Sequence, residues 1–312
     1  MMRDYIVPAT LALASYLMTG ATYGSVVVGD TPLATNPQVF VGLPASSAST
    51  SITVSRKQYV VSWDYESRAP EWAAWILNKR ELGDVTRTNT FRLDHDLDEA
   101  LANENRSSVT PSDYRGSCLD RGHQVPSGDR TATMTDNEAT FFMSNMLPQS
   151  AYLNRRSWVS LERFLRRQVL NHSKHVQIYA GAVPNRSFGS IGPGHDIAVP
   201  LKNFKIAVLM PATRQQPRVN DMQYFVANFP NVTSRGTDPV IDHTQACYDS
   251  DHTVHLDDGN QDPFWRPYLA TLSTVERESG ISFPFLQGAH AMTPAEVDLL
   301  IANDTMPQLT KP

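Results

Sequence analysis

Asp120-Arg121-Gly122-His123 is the stretch of this chain best equipped for chemistry. An imidazole that is neutral near physiological pH can take a proton, and an adjacent guanidinium is a permanent cation suited to phosphate oxygens. Proline, glycine and serine recur on both sides, from Pro111 to Gly128, so the sequence predicts turn chemistry beside a strand rather than core. Downstream come Asn145, Asn154, Glu162 and Arg166. Taken singly, each has an ordinary explanation: a helix cap, a solvated i,i+4 salt bridge, a structural histidine. Taken together, a base, an amide, a carboxylate and two arginines could activate water against a phosphodiester with the help of one magnesium-like ion.

Positioning them requires a helix and a strand pair. Apolar residues at Trp158, Leu161, Leu165 and Val169 keep a 3–4 spacing, which predicts a helix over Arg155–Leu170 with Asn154 as its N-cap. On an α-helical wheel Asn154, Glu162 and Arg166 fall at roughly 0°, 80° and 120°, beside the apolar stripe and therefore at the rim of a docked face. Arg155 shares that flank, whereas Arg156, Arg163 and Arg167 point away. Lys57–Tyr65 alternates as a strand, with Tyr59, Val61 and Trp63 on one face; Val176–Gly181, Ile197–Val199, Phe204–Met210 and Met222–Asn228 also read as strands, and a short one is expected near Val39–Val41. Glu71–Leu77 and Ala139–Met146 are apolar runs too short to type, and Asp94–Ser108 reads as a charged loop. A helix is expected from Asp262-Pro263 to Gly280, and Thr293-Pro294-Ala295-Glu296 is a capping box for a terminal helix. Strands and helices follow one another without regular β-α alternation, which predicts an α+β fold with a mixed, mainly antiparallel sheet.

The 312 residues suffice for a sizeable core, and a hydrophobic fraction of 41% with 19% charged residues is that of a globular protein. A net charge of −5 excludes a global field attractive to polyanions, so such a site must be built from local arginines. Residues 1–24 are expected to be a signal peptide or leader because Tyr5–Met18 is apolar and uncharged, with small residues after it. Residues 25–55, rich in Ser, Thr, Ala, Gly and Pro, are expected to be a linker, 56–290 the folded domain, and 291–312 a C-terminal helix and tail. A secreted or periplasmic protein with no stable membrane partner after leader removal follows, with organelle targeting or membrane anchoring through the same segment as the alternative. Cys118 and Cys247 are the only cysteines and could pair in an oxidising compartment.

Asp120-Arg121-Gly122-His123, then Phe141-Phe142-Met143-Ser144-Asn145 with Pro148-Gln149, then Asn154, Trp158 and Leu161-Glu162, in this order and spacing, resembles the DNA/RNA non-specific endonucleases, the ββα-metal or His-Me finger nucleases that include endonuclease G. Asp113-Tyr114-Arg115-Gly116-Ser117 is similar to the same branch. The resemblance runs from about Lys57 to Phe285 and is dense from Ser112 to Arg167. It implies His123 as general base, Asn154 as the protein ligand of Mg²⁺ (with Mn²⁺ as a substitute), and Glu162 holding metal-bound water. It further implies Arg121 and Arg166 on phosphate oxygens, Asn145 bracing the site, and Asp120 and Gly122 supporting the motif. DNA and RNA would both be substrates, the products would carry 5′-phosphates, and a homodimer is left open. An upstream arginine used by some members falls to Arg87 or Arg92, and Cys118 stands where the family often has glycine.

Two other classes compete: a nucleic-acid-binding homologue that does not cut, and a phosphodiesterase for small molecules. A second cluster, His243, Cys247, His252 and His255 among the aspartates of Ile241–Asp262, could bind zinc or calcium; the plainer reading is an acidic excursion, pinned by a Cys118–Cys247 bond and lying away from the substrate path.

Overall fold

The structure, a computed structural model, describes residues 26–46, 48–184, 189–212, 218–236, 243–252 and 263–305. The leader expected over 1–24 lies outside them. One nine-stranded sheet dominates, in the spatial order Val26–Val28, Ser51–Ser55, Val60–Asp64, Ala69–Leu77, Lys174–Val183, Lys202–Pro211, Gln223–Pro230 and Leu269–Ala270, with His290–Ala291 also on Gln223–Pro230. Within this sheet, among the described residues, only the pairings of Val26–Val28 with Ser51–Ser55 and of Gln223–Pro230 with His290–Ala291 are parallel. The fold is α+β and mainly antiparallel, as the element order predicts.

Both faces of the sheet are covered, so its central strands are buried at nearly every position and largely apolar rather than alternating with exposed polar residues. In Lys202–Pro211, Ala207 and Leu209 face one layer, while Phe204, Ile206, Val208 and Met210 face the other. The first layer contains Trp158, Leu161, Leu165 and Val169, the expected helix stripe, packed with Tyr59, Val61 and Trp63. Each such side chain contributes about 1.5–3 kcal/mol on burial. The second layer is closed by Val275, Ile281, Phe283 and Leu286.

Several expectations are corrected. Residues 26–55 are not a spacer: they supply two sheet strands, and Gln38 accepts a bond from the fully buried Arg130 guanidinium while its carbonyl accepts one from Gln177. Around Val39 there is no strand but a 3-10 turn, Pro37–Val39, capped by the Asn36 side chain. Asp94–Ser108 contains a helix, His95–Ala102, because Asp94 caps it and Leu97 and Leu101 are buried. The helix expected from Pro263 is split into a 3-10 turn at Arg266–Tyr268, a strand at Leu269–Ala270 and a helix at Leu272–Ser279, with Gly280 left-handed at its end. The Thr293–Glu296 capping box does open a helix, Pro294–Thr305, which Arg167 holds through Asp304.

Candidate active site

A separate antiparallel pair carries the motif. Asp120–His123 lies against Met146–Gln149 in the register Asp120↔Gln149, Arg121↔Pro148, Gly122↔Leu147 and His123↔Met146. Glycine is required at 122 because a Cβ there would stand 2.2 Å from the Gln149 side chain, which is buried and bonded to Asn203. The chain then turns at Ser150, whose hydroxyl accepts from the Leu153 amide, and enters the helix that packs on the sheet. Asn154 is therefore not the cap. It lies inside a π-helical segment, Leu153–Trp158, that continues as an α-helix over Val159–His172. An i→i+5 turn takes in an extra residue, so Glu162 and Arg166 are rotated relative to Asn154 from their α-helical wheel positions.

His123 is buried between the edges of Phe91 and Phe141, with ring centroids 5.5 and 4.9 Å away. Trp158 Nε1 donates to its carbonyl at 3.0 Å, tying the helix to the motif strand. Burial, then the nearby Arg87 guanidinium, push its pKa well below the usual histidine value; a ring hydrogen bond to the Arg121 backbone opposes this, and Arg121 and Lys205 add to the lowering. Nε2 is buried with no partner among the described residues, so the backbone bond falls to Nδ1. Burial and the surrounding arginines favour the neutral imidazole, and a backbone bond at Nδ1 would put its lone pair on Nε2.

Asn154 Nδ2 donates to Asp120 at 2.9 Å, leaving Oδ1 as its remaining acceptor. Arg155 grips both oxygens of the same carboxylate, donating from Nε at 2.9 Å to the oxygen that Asn154 uses and from Nη2 at 2.7 Å to the other. Glu162, almost buried, pairs at 3.0 Å with Lys205, a fully buried lysine whose ammonium sits 3.8 Å from the Trp158 ring centroid. Burial lowers the Lys205 pKa, and the Glu162 carboxylate is the strongest influence against that. Arg166 is held by Asp129 at 2.8 Å, and Asp129 also accepts from Trp75. Asn145 is wholly buried and bonds the Val125 amide and carbonyl and the Thr140 carbonyl, so it braces the loop after His123. Arg121 lies 4.0 Å over the Phe91 ring.

Of the two upstream arginines, Arg87 enters the site. It lies 5.0 Å from the Phe141 ring centroid, bonds Asn89 and Ser127, and feels Glu162, Arg121 and Asp120. Arg92 instead stacks on Phe142 and bonds Thr90. Lys205 and Asp129 carry no motif signal in the sequence, although a lysine within the apolar run Phe204–Met210 is a charge that a buried strand must neutralise.

The donor set suits a hard cation. One neutral amide oxygen, with carboxylates already engaged by cations, leaves an ion most of its waters, which matches the reluctance of Mg²⁺ to lose them. The competing cluster does not survive as a thiolate site: Cys118 and Cys247 form a disulfide, and His255 lies outside the described residues. Nor does that segment keep its distance. The helix His243–Asp251 is bonded to the motif loop through the disulfide, and Ser250 offers its carbonyl to Arg155 at 3.1 Å.

Residues 41–288 match the model of the DNA/RNA non-specific endonucleases. A nuclease of Nostoc sp. is 34% identical over 252 residues, covering 78% of this chain and 79% of the relative. Human mitochondrial endonuclease G is 30% identical over 172 residues, and the match covers 52% of this chain and 56% of that protein. A nuclease of Serratia marcescens is 26% identical over 206 residues, covering 64% and 71%. Among solved structures, an EndoG/EndoGI complex aligns with a TM-score of 0.57 at 23% identity, over 83% of this chain and 94% of that one, a likeness of fold. With a family match over most of its length and a relative at this identity over most of both chains, the chain belongs to the DNA/RNA non-specific endonuclease family and is an enzyme, a nuclease.

Proposed function

We propose that the protein hydrolyses phosphodiester bonds within both DNA and RNA, with His123 as general base and one Mg²⁺ ion on Asn154, and leaves 5′-phosphate ends. The observation that carries this reading is His123 itself: a neutral imidazole, walled by aromatic rings and arginines, with Nε2 unpartnered. A water molecule against Nε2 would lose its proton to that atom as its oxygen attacks phosphorus. Nδ1, committed to the Arg121 backbone, fixes the tautomer. Asp120 orients the Asn154 amide and leaves Oδ1 free, so that Asn154 would hold the ion. Glu162, held in place by Lys205, would accept hydrogen bonds from water around the ion. Arg121 and Arg87 hold the non-bridging phosphate oxygens, and Arg166 adds the N–H groups that Asp129 leaves free. When bound, the ion supplies positive charge to the transition state and the leaving 3′ oxygen, and Mn²⁺ serves in its place. Metal dependence is general in the family, which supports this arrangement. Contacts to the backbone rather than to bases explain the tolerance of both sugars.

Purified protein should degrade plasmid DNA and single-stranded RNA with Mg²⁺ and stop on addition of EDTA. His123→Ala should lower the rate at least a hundredfold, the usual contribution of a positioned base, with an unchanged circular dichroism spectrum. Wild-type rates in that variant would remove His123 as the base. For location, Tyr5–Met18 supports export, whereas the mitochondrial relatives support an organelle route. N-terminal sequencing of the native protein from each cell fraction decides between them.

A further inference from the structure

The arginines of the site helix, which the sequence offers as the grip on nucleic acid, are largely neutralised within the protein. Arg155 is spent on Asp120, Arg166 on Asp129 and Arg167 on Asp304. Among the described residues, no carboxylate pairs with Arg115 or Arg121. These two line one open groove of about 330 Å³ with Pro111, Tyr114 and Leu119. The groove adjoins the site, because Arg121 covers Phe91, whose edge meets His123. Asp113, the acid nearest Arg115 in sequence, is occupied elsewhere: it accepts from the Thr110 amide at 2.8 Å and lies 3.9 Å from Arg68, while Asp120, next to Arg121, is paired with Arg155.

The backbone under Arg115 is fixed in place. Its amide bonds the Ser112 carbonyl at 3.0 Å, and the Ser117 hydroxyl both donates to the Tyr114 carbonyl and accepts from the Leu119 amide. Gly116 takes a left-handed φ of 72°, which glycine adopts without strain, and Cys118 is clamped by the disulfide. Two unpaired guanidiniums on an anchored turn, in an otherwise acidic molecule, match a phosphate diester better than any other common ligand.

We propose that Arg115 extends the phosphate grip of Arg121 along the groove into a second subsite, which takes the phosphate next to the scissile one on the same strand. This rests on the nuclease reading and narrows it. The preferred substrate is a polynucleotide with a flanking phosphate rather than a dinucleoside or small diester, and base identity does not matter at this position.

The test compares a dinucleotide with longer oligonucleotides, all with Mg²⁺, for wild type, Arg115→Gln, Arg115→Lys and, as a control, Arg163→Gln on the exposed side of the helix. In wild type the first flanking phosphate should raise kcat/KM about tenfold, as a charge-assisted contact does. Arg115→Gln should lose most of that gain, chiefly through KM, and Arg115→Lys should recover part of it. Binding of a fluorescein-labelled oligonucleotide to the His123→Ala protein, with and without Arg115→Gln, should show a log–log salt slope smaller by about one in the double variant. An unchanged length gain and salt slope in Arg115→Gln would overturn the subsite while leaving the nuclease reading intact. A wild-type protein that cuts no oligonucleotide would overturn both.

Discussion

His123 owes its chemistry to where its two nitrogens point. Nδ1 is satisfied by its own strand, and Nε2 faces a buried space with arginines around it, so protonation there is opposed by desolvation and by positive charge. The folded-state pKa therefore lies well below the unfolded value near 6.5. At pH values between the two, the unfolded chain binds a proton that the folded chain refuses. Stability is thus complete above about pH 6.5 and declines as pH falls towards the folded-state pKa. His123→Asn, which cannot take the proton, should flatten this part of the curve. Thermal melts in EDTA across that range should show the wild-type midpoint falling more steeply than that of the variant. Parallel curves would mean that the folded histidine titrates normally. For the same reason the acid limb of the nuclease pH profile should lie below the ordinary histidine range.

At the scale of elements, the main strands were legible as short apolar runs bounded by turn residues, and so was the apolar stripe of the site helix, because both signals are written in side-chain types. The π-helical segment was not legible. It depends on backbone closure from Ser150, and Leu153–Trp158 has the composition of any amphipathic helix. Glu162 illustrates the same limit: its carboxylate is visible in the sequence, but its partner Lys205 sits on a distant strand, and only the pairing of Lys202–Pro211 into the sheet brings them together. Because both groups are buried, the pair lends itself to a double-mutant cycle. Lys205→Met alone leaves a buried carboxylate unpaired and should cost about 3–5 kcal/mol in urea denaturation. Lys205→Met with Glu162→Gln removes both charges and should recover much of that loss without restoring cleavage. If the double variant were as unstable as the single one, packing of the lysine stem rather than the ion pair would be what matters.

The whole molecule has a constraint that the sequence left open. Cys118 and Cys247 were known to be capable of pairing, but whether they meet depends on how the sheet delivers the chain back to the motif loop. They do meet, across a sequence separation of 129. The bond fastens His243–Asp251 beside Asp120, where Ser250 also takes a hydrogen bond from Arg155 and Asp249 holds the Ser234 amide and hydroxyl. Closing a loop of that length in the unfolded chain contributes up to about 4–5 kcal/mol to stability, with native strain and residual structure reducing what is measured. The Cys118→Ser, Cys247→Ser double variant should therefore unfold at lower urea, with a loss of about 2–5 kcal/mol. Without that covalent tie the helix is held by noncovalent contacts such as those of Ser250, Asp249 and Gln245, so limited proteolysis should cut near it sooner than in wild type. A drop in stability without earlier cleavage there would confine the disulfide's role to the unfolded chain. Earlier cleavage accompanied by a loss of oligonucleotide affinity would place it among the supports of Arg115 and Asp120, the residues on either side of Cys118 in the motif loop.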